Sequence, residues 1–369
     1  MKIPQFDLTR QYEQIEPEIQ SALRHVLRGG QFILGPEGEA FETECAAYLG
    51  VSHAIGLGSG SDAIKLTLQA LGVGPDTEVV TPAFSFVASA TAALELGARP
   101  VFVDVEPATL TLDPDRVAAA ITPETRVILA VHLYGLPAAM GPLRVLADTH
   151  GIHLVEDAAQ AFGATLGGRP VGGHGRAAAF SFYPTKNLAA YGDAGLVTTT
   201  DAALAAHLRL ARNHGQTQKY RHAELGWTAR LDELQAAILR VKLRHLPAWT
   251  LARQALAARY SEGFAGLPIV LPTERPGGTH VFHQYTIRTP QRDALAAHMT
   301  AAGIGTACHY PLPIPAQPLF RDLGYDATPF PAAWAAAREV LSLPCFPELR
   351  TDEIDAVIAA VRGFFEGDS

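Results

Sequence analysis

The sequence predicts an α/β protein with a large, mostly parallel sheet and a smaller α/β unit at its C-terminal end. Two observations predict it. Over the first two thirds of the chain, short apolar runs alternate with helical patterns, as in strands joined by crossover helices. Beyond about residue 245 the character changes to fewer strands, a proline-rich loop and late helices. We therefore expect a large domain over residues 1–245 and a smaller one over residues 246–369.

The elements follow in order. Strand-like runs are Glu78–Thr81, Pro100–Val105, Arg126–Leu133, His153–Glu156, Ala178–Phe182 and Leu196–Thr200, with helical patterns at Asp62–Leu71, Ser85–Leu96, Asp115–Ile121 and Pro142–His150 between several of them. Ala202–Arg212 reads as a further helix. A long helical pattern runs from Leu231 to about Phe264, and Pro247 predicts a break within it. Then come a strand at His280–Arg288, a helix at Arg292–Ala302, a strand at Gly305–His309 and helices at Pro331–Leu341 and Thr351–Phe365.

Composition excludes several function classes. The 369 residues are 48% hydrophobic and 18% charged, a core-forming balance. There are 29 basic against 37 acidic residues, a formal charge of −8, so no basic surplus exists to neutralise a nucleic-acid backbone. No apolar run approaches the ~20 residues of a membrane span. The start, Met1-Lys2-Ile3-Pro4-Gln5-Phe6-Asp7, has no apolar h-region, so no signal peptide is expected. Three scattered cysteines (Cys45, Cys308, Cys345) suggest neither a disulfide framework nor a zinc site, and fit a cytoplasmic protein.

Residues 56–63 read Gly-Leu-Gly-Ser-Gly-Ser-Asp-Ala between a strand-like His53–Ile55 and a helix. Small residues let the backbone approach closely, and the free N–H groups of a first helical turn bind an anion. Gly58-x-Gly60-x-x-Ala63 also satisfies a dinucleotide pattern, with Glu78 about 20 residues on. An ordinary capped turn gives the same pattern. Some sixty residues precede this turn, which is not how a simple dinucleotide-binding unit begins.

Only five lysines occur, which permits elimination. Lys2 is terminal, Lys219 is in a polar loop, and Lys65 and Lys242 are expected on solvated helix faces. Lys186 follows an apolar strand that Pro184 stops, and it precedes Ala189-Ala190-Tyr191-Gly192-Asp193. Such a lysine is partly desolvated, which favours the neutral amine that attacks an aldehyde. Upstream, Asp157 ends the strand at Leu154-Val155-Glu156-Asp157, where open sheets bind ligands. Pyridoxal phosphate (PLP) needs this combination: a lysine, an acid facing the pyridinium nitrogen and a phosphate site. Gln160 is placed to donate to the phenolic oxygen, Ser61 and Ser181 to hold phosphate, and Phe86 to stack on the ring, although Phe84 and Phe86 also read as plain core. Glu156 reads as a structural neighbour. His150-x-x-His153 and His280-x-x-His283 lack acid or Cys partners at ligand spacing, so no metal site is expected.

These pieces occur in a familiar order. From Gly58-Ser59-Gly60-Ser61-Asp62-Ala63, through Asp157-Ala158-Ala159-Gln160, to Ser181-Phe182-Tyr183-Pro184-Thr185-Lys186-Asn187-Leu188, the sequence resembles the DegT/DnrJ/StrS sugar aminotransferases. The likeness extends to Val131-His132-Leu133-Tyr134-Gly135, Arg212-Asn213-His214-Gly215, Arg230-Leu231-Asp232-Glu233 and His309-Tyr310-Pro311, nearly the whole chain. It implies a type I, aspartate-aminotransferase-like fold and a homodimer with shared active sites. It implies PLP on Lys186, Asp157 on the ring nitrogen, Gln160 on the phenolic oxygen, and Gly60, Ser61 and Ser181 on the phosphate. It also implies transfer of an amino group from L-glutamate to a nucleotide-linked keto sugar, with Lys186 carrying the proton. Tyr183, His214, His309 and Tyr310 are expected on the substrate side.

Two positions depart from the family pattern. Thr228 stands where an Asn usually reaches the partner subunit's phosphate, and Pro315 replaces a His in the stretch His309 to Pro318. The residues around Asp62 and Lys186 look more like members acting on 3-keto than on 4-keto sugars. The competing readings are a PLP enzyme of the same fold with another substrate, such as an amino acid, a non-catalytic regulatory relative, and an NAD dehydrogenase; the last leaves Lys186 and Asp157 without roles.

Overall fold

A computed structural model of the chain describes residues 2–367. The stretch before the glycine-rich turn forms two helices. Asp7 starts Leu8–Gly29 by accepting from the N–H groups of Thr9 and Arg10, and Pro36 opens Pro36–Leu49.

The central sheet has seven strands in the spatial order His53–Leu57, Gly195–Thr199, Ala177–Ser181, His153–Asp157, Thr125–Val131, Glu78–Pro82 and Arg99–Val103. Gly195–Thr199 runs antiparallel to both of its neighbours, and the remaining pairs are parallel. Parallel strands covered on both faces must be apolar throughout, which is why they read as continuous runs in the sequence. On one face Ile55, Val79, Val127, Leu129, Val155 and Val197 pack with helices Gly60–Ala70 and Ala202–Ala211. On the other, Val80, Ile128, Ala130 and Leu154 meet helix Met140–His150. On that same face Ala54, Ala178, Phe180 and Leu196 meet Phe41, Leu239 and Leu246. The expected strands and crossover helices are all present, shifted by a few residues at their ends.

The C-terminal part differs from expectation in four ways. First, the helix Glu233–Gly263 continues through Pro247. A proline in a helix interior removes one backbone bond and costs ~3 kcal/mol. Packing along the whole length offsets this: Leu239, Leu243 and Leu246 enter one core, Ile238, Val241 and Trp249 pack with the first helix, and Leu256, Ala257 and Tyr260 enter the C-terminal core. Second, the expected strand at His280 begins only at Tyr285, where Tyr285–Arg288 pairs antiparallel with Val340–Leu343. Phe282 has φ 43, and its N–H turns back to His280 Nδ1 at 2.9 Å, so residues 280–284 cannot extend. Third, the helix Pro331–Glu339 ends early because Val340 turns extended to join that strand pair. Fourth, the expected strand at Gly305–His309 does not form: only Ala307 pairs, with Ser342, and the chain bends at His309 into the proline-rich loop.

Lys65 sits near Asp62 (3.4 Å) and Glu95 (3.2 Å), on a polar face as expected. Lys242 does not. It is 1% exposed, with its Nζ 4.0 Å from the centroid of the Tyr191 ring. The helix around it is buried on several sides, from Ala236 to Leu243, so no solvated face is left for it. Among the described residues no helix is long and apolar enough to cross a membrane.

Candidate active site

The site lies beyond the carboxyl ends of the parallel strands. Strand His53–Leu57 ends at the glycine-rich turn, and Ser59 caps the helix Gly60–Ala70 by accepting from Asp62 N–H at 3.0 Å. The first backbone bond of that helix is Ala63 N–H to Ser59 O (3.0 Å), so the N–H groups of Gly60 and Ser61 have no partner within the helix. A Cβ on Gly60 would lie 2.6 Å from the Cβ of Ser181. Only glycine lets the helix start close against the end of strand Ala177–Ser181, which brings Gly60, Ser61 and Ser181 to one place.

That place is one end of a cavity of about 490 Å3. Asp157, last residue of its strand, lines it and accepts from Ala159 N–H at 3.2 Å. Burial raises the Asp157 carboxyl above its ordinary value, opposed by the Ala159 N–H and by Lys186. Lys186 lines the same cavity from the loop after Ser181, where its backbone N–H bonds Tyr183 O at 2.8 Å. Surrounding protein pushes its amine down to about 8, and the charge of Asp157 resists this. A useful fraction of neutral amine is thus present near neutral pH.

Gln160 has a fixed orientation. Tyr134 N–H donates to its Oε1 at 2.6 Å, which turns its Nε2 toward Tyr310, whose hydroxyl it meets at 3.1 Å. Tyr310 is tilted against Phe86, with ring centroids 6.1 Å apart. Phe86 is exposed at the cavity, whereas Phe84 is core. Tyr183 and His309 complete this side. His309 bonds Ser342 Oγ through Nδ1 (2.9 Å), and burial together with Lys186 pushes it down to about 4, so it is a neutral imidazole.

A family model for the DegT/DnrJ/EryC1/StrS aminotransferases matches residues 13–362. The chain belongs to that family. The pleiotropic regulatory protein of Geobacillus stearothermophilus is 49% identical over 368 residues, covering 99% of this chain and 99% of that protein. The dTDP-3-amino-3,4,6-trideoxy-alpha-D-glucose transaminase of Streptomyces venezuelae is 48% identical over 366 residues, covering 99% of this chain and 97% of that protein. The crystal structure of S. venezuelae DesV in complex with a ketimine intermediate aligns with a TM-score of 0.97 at 48% identity, covering 99% of each chain.

Within this DegT/DnrJ/EryC1/StrS member, two of the expected site residues lie away from the cavity of their own chain. His214 and Thr228 are exposed and meet each other, His214 Nε2 to Thr228 Oγ1 at 2.8 Å. Pro315 is buried in the short turn Ile314–Ala316 and does not line the cavity. Glu156 faces away from Asp157, as successive strand residues do. It accepts from Gly172, His174 and Gly175 N–H groups at 2.9, 2.8 and 2.7 Å and bonds His132 at 3.1 Å. Ala138 N–H donates to His132 Nδ1, so the His132 proton sits on Nε2 toward Glu156. Sequence reasoning missed Ser59, Thr185, Asp193 and His283, which also line the cavity. Thr185 adjoins Lys186 and was within reach of the motif; His283 is brought in from almost a hundred residues away by tertiary contacts alone.

Proposed function

We propose that the chain transfers an amino group from L-glutamate to the 3-keto group of a nucleotide-linked sugar, using PLP. The observation that carries this reading is the meeting of Lys186 and Asp157 in one cavity with the helix start at Gly60 and Ser61.

The donor set fits the cofactor. Asp157 is 6% exposed, borders the cavity and has no ion pair among the described residues, which suits a protonated ring nitrogen. The cradle at Gly60, too narrow for a Cβ, suits a phosphate against the free N–H groups and the hydroxyls of Ser61 and Ser181. Gln160 suits the phenolic oxygen, and Phe86 the ring face. When bound, PLP supplies an electron sink for charge developing at the substrate carbon. Lys186 anchors the cofactor through its Nζ, and the same nitrogen takes and returns the substrate proton. Asp157 keeps its charge beside the cationic ring. Tyr183, His309 and Tyr310 line the mouth and bind the sugar.

The family supports an amino donor and a keto-sugar nucleotide acceptor, and the 3-amino product in the name of the S. venezuelae relative supports C3. A homodimer is the reading that gives His214 and Thr228 a task, each facing the partner's cavity. Exposed Phe32, Ile33, Leu34 and Tyr220 supply apolar surface for such contact. The free cysteines support a cytoplasmic location. We also divide the chain near residue 245, since a separate C-terminal core supports it, with the helix Glu233–Gly263 shared.

The test is product formation from L-glutamate and 3- or 4-keto sugar nucleotides. Amination at C3 supports the reading; amination only at C4 moves the regiochemistry. The name of the Geobacillus relative favours a regulatory alternative, which predicts no turnover with either.

A further inference from the structure

Strand Thr125–Val131 runs out into the short turn Leu133–Gly135. Tyr134, at its centre, is buried and does not line the cavity of Lys186. Its φ is 59, a left-handed conformation that side chains rarely take and that neighbours must hold. Three residues that do line the cavity hold it. Tyr134 N–H donates to Gln160 Oε1 at 2.6 Å, Tyr134 O accepts from Gln284 N–H at 3.3 Å, and the Tyr134 hydroxyl donates to His309 O. Burial lifts that hydroxyl well above its ordinary value, with Tyr310 acting in the same direction, so it keeps its proton and donates. At Gly135 a Cβ would lie 3.1 Å from Gln160 O, so the turn is pressed against Gln160 from this side too.

Tyr310 follows His309 in the chain, and its hydroxyl accepts from Gln160 Nε2 at 3.1 Å. The bonds therefore close a ring. It runs from Tyr134 to Gln160, on to Tyr310, along the backbone to His309 and back to the Tyr134 hydroxyl. Tyr134 occupies the amide oxygen of Gln160 and Tyr310 takes one amide hydrogen, which leaves the second hydrogen to donate.

We propose that Tyr134 is a positioning residue for the active site: through its N–H and its hydroxyl it closes this ring and holds Gln160, on the cofactor side, and His309–Tyr310, on the sugar side, in one arrangement. Gln160 then presents its amide nitrogen to the cofactor, never its oxygen. This rests on the aminotransferase reading. If the hydroxyl bond is lost, residues 309–310 are released from Tyr134, and Tyr310 no longer fixes one side of the Gln160 amide.

The test uses Tyr134→Phe, which keeps the ring, its burial and both backbone bonds and removes only the hydroxyl. A role in packing alone predicts no change. In cofactor-free protein labelled with 15N-glutamine, NMR should show a slowly exchanging Gln160 side-chain amide, and Tyr134→Phe should speed that exchange about tenfold or more. With PLP, Tyr134→Phe should raise the pH midpoint of the visible band by about 0.5–1 unit, because a weaker hydrogen bond from Gln160 disfavours the charged phenolic oxygen. Gln160→Ala should raise the midpoint at least as far, and Tyr134→Phe should add nothing on top of it. Unchanged exchange, an unmoved midpoint or additive shifts in the double variant would each overturn the proposal. If Tyr134→Phe does not fold, hydrogen exchange at the Tyr134 amide decides: it should be protected in the parent protein and released about tenfold by Gln160→Ala. An unprotected amide, or one that Gln160→Ala leaves unchanged, overturns the proposal. A parent protein that forms no visible band with PLP would remove the aminotransferase reading, while the cofactor-free exchange would still judge the ring.

Discussion

Lys186 and Lys242 are both held below the ordinary lysine range by burial, Lys186 to about 8 and Lys242 to about 7. Their surroundings separate them. Lys186 opens into a cavity of about 490 Å3, across from Asp157 and near the free helix start at Gly60. Lys242 lies inside the helix Glu233–Gly263, its amine over the Tyr191 ring, with Glu348 the charge that works against burial. A depressed amine therefore does not mark a catalytic lysine by itself. Access, an acid at fixed geometry and an anion cradle in the same cavity do.

The comparison can be broken most directly at Lys186. Lys186→Ala should lower turnover by ~10⁴-fold or more, because the proposed cofactor anchor and proton carrier are both removed. Its circular dichroism should match the parent protein. Lys242→Met should keep turnover within about twofold in the same assay. Equal losses in the two variants would erase the distinction.

The next effect is on stability and belongs to Lys242. With its folded-state pKa near 7 against an ordinary 10.5, the unfolded chain binds the extra proton between those values. Below pH 7 both states are protonated and the burial cost is complete. As pH rises from about 7 to 10.5 that cost is relieved, so the parent protein gains stability relative to Lys242→Met. At pH 6 the variant should be more stable by up to about 3–5 kcal/mol, since each pKa unit is about 1.4 kcal/mol. Urea unfolding of both proteins at pH 6 and pH 10 reads the difference. An advantage that grows with pH would contradict the assignment.

Asp157→Asn sharpens the other side. It should retain PLP but slow proton removal from L-glutamate by ~10²-fold, because a neutral amide does not hold the ring nitrogen protonated. Rapid-mixing measurement of the L-glutamate step checks this. The smallest effect is expected at Phe86, where Leu should weaken PLP binding about fivefold, on the order of 1 kcal/mol of ring contact. Equilibrium titration of cofactor-free protein with PLP would show it.

What was legible in the sequence follows the same division. Lys186, Asp157 and the helix start at Gly60 were readable because each sits at or just after the carboxyl end of a buried strand of the central sheet, and such strands announce themselves as apolar runs closed by Gly, Pro or Asp. Most of the sheet and its crossover helices came with them. Lys242 was misread because a helical period gives faces but not which neighbours cover them, and here partners approach from more than one side. Pro247 was misread for a related reason, since tertiary burial outweighs the local preference to break. The turn at His280–Phe282 rests on one side chain accepting from a backbone N–H, and the seating of His283 on Asn187 joins residues far apart in the chain. Neither leaves a periodic trace. His214 and Thr228 carried a motif, but their geometry within one chain places them on its surface.

The central claim is that Lys186 and Asp157 form a PLP site that takes an amino group from L-glutamate. Absorbance of the purified protein with added PLP, followed through addition of L-glutamate, tests it most directly. A visible band that forms in the parent protein, is absent in Lys186→Ala and is lost on adding L-glutamate is the result predicted here. A protein that stays colourless with PLP, or a band that forms equally well in Lys186→Ala, would contradict it.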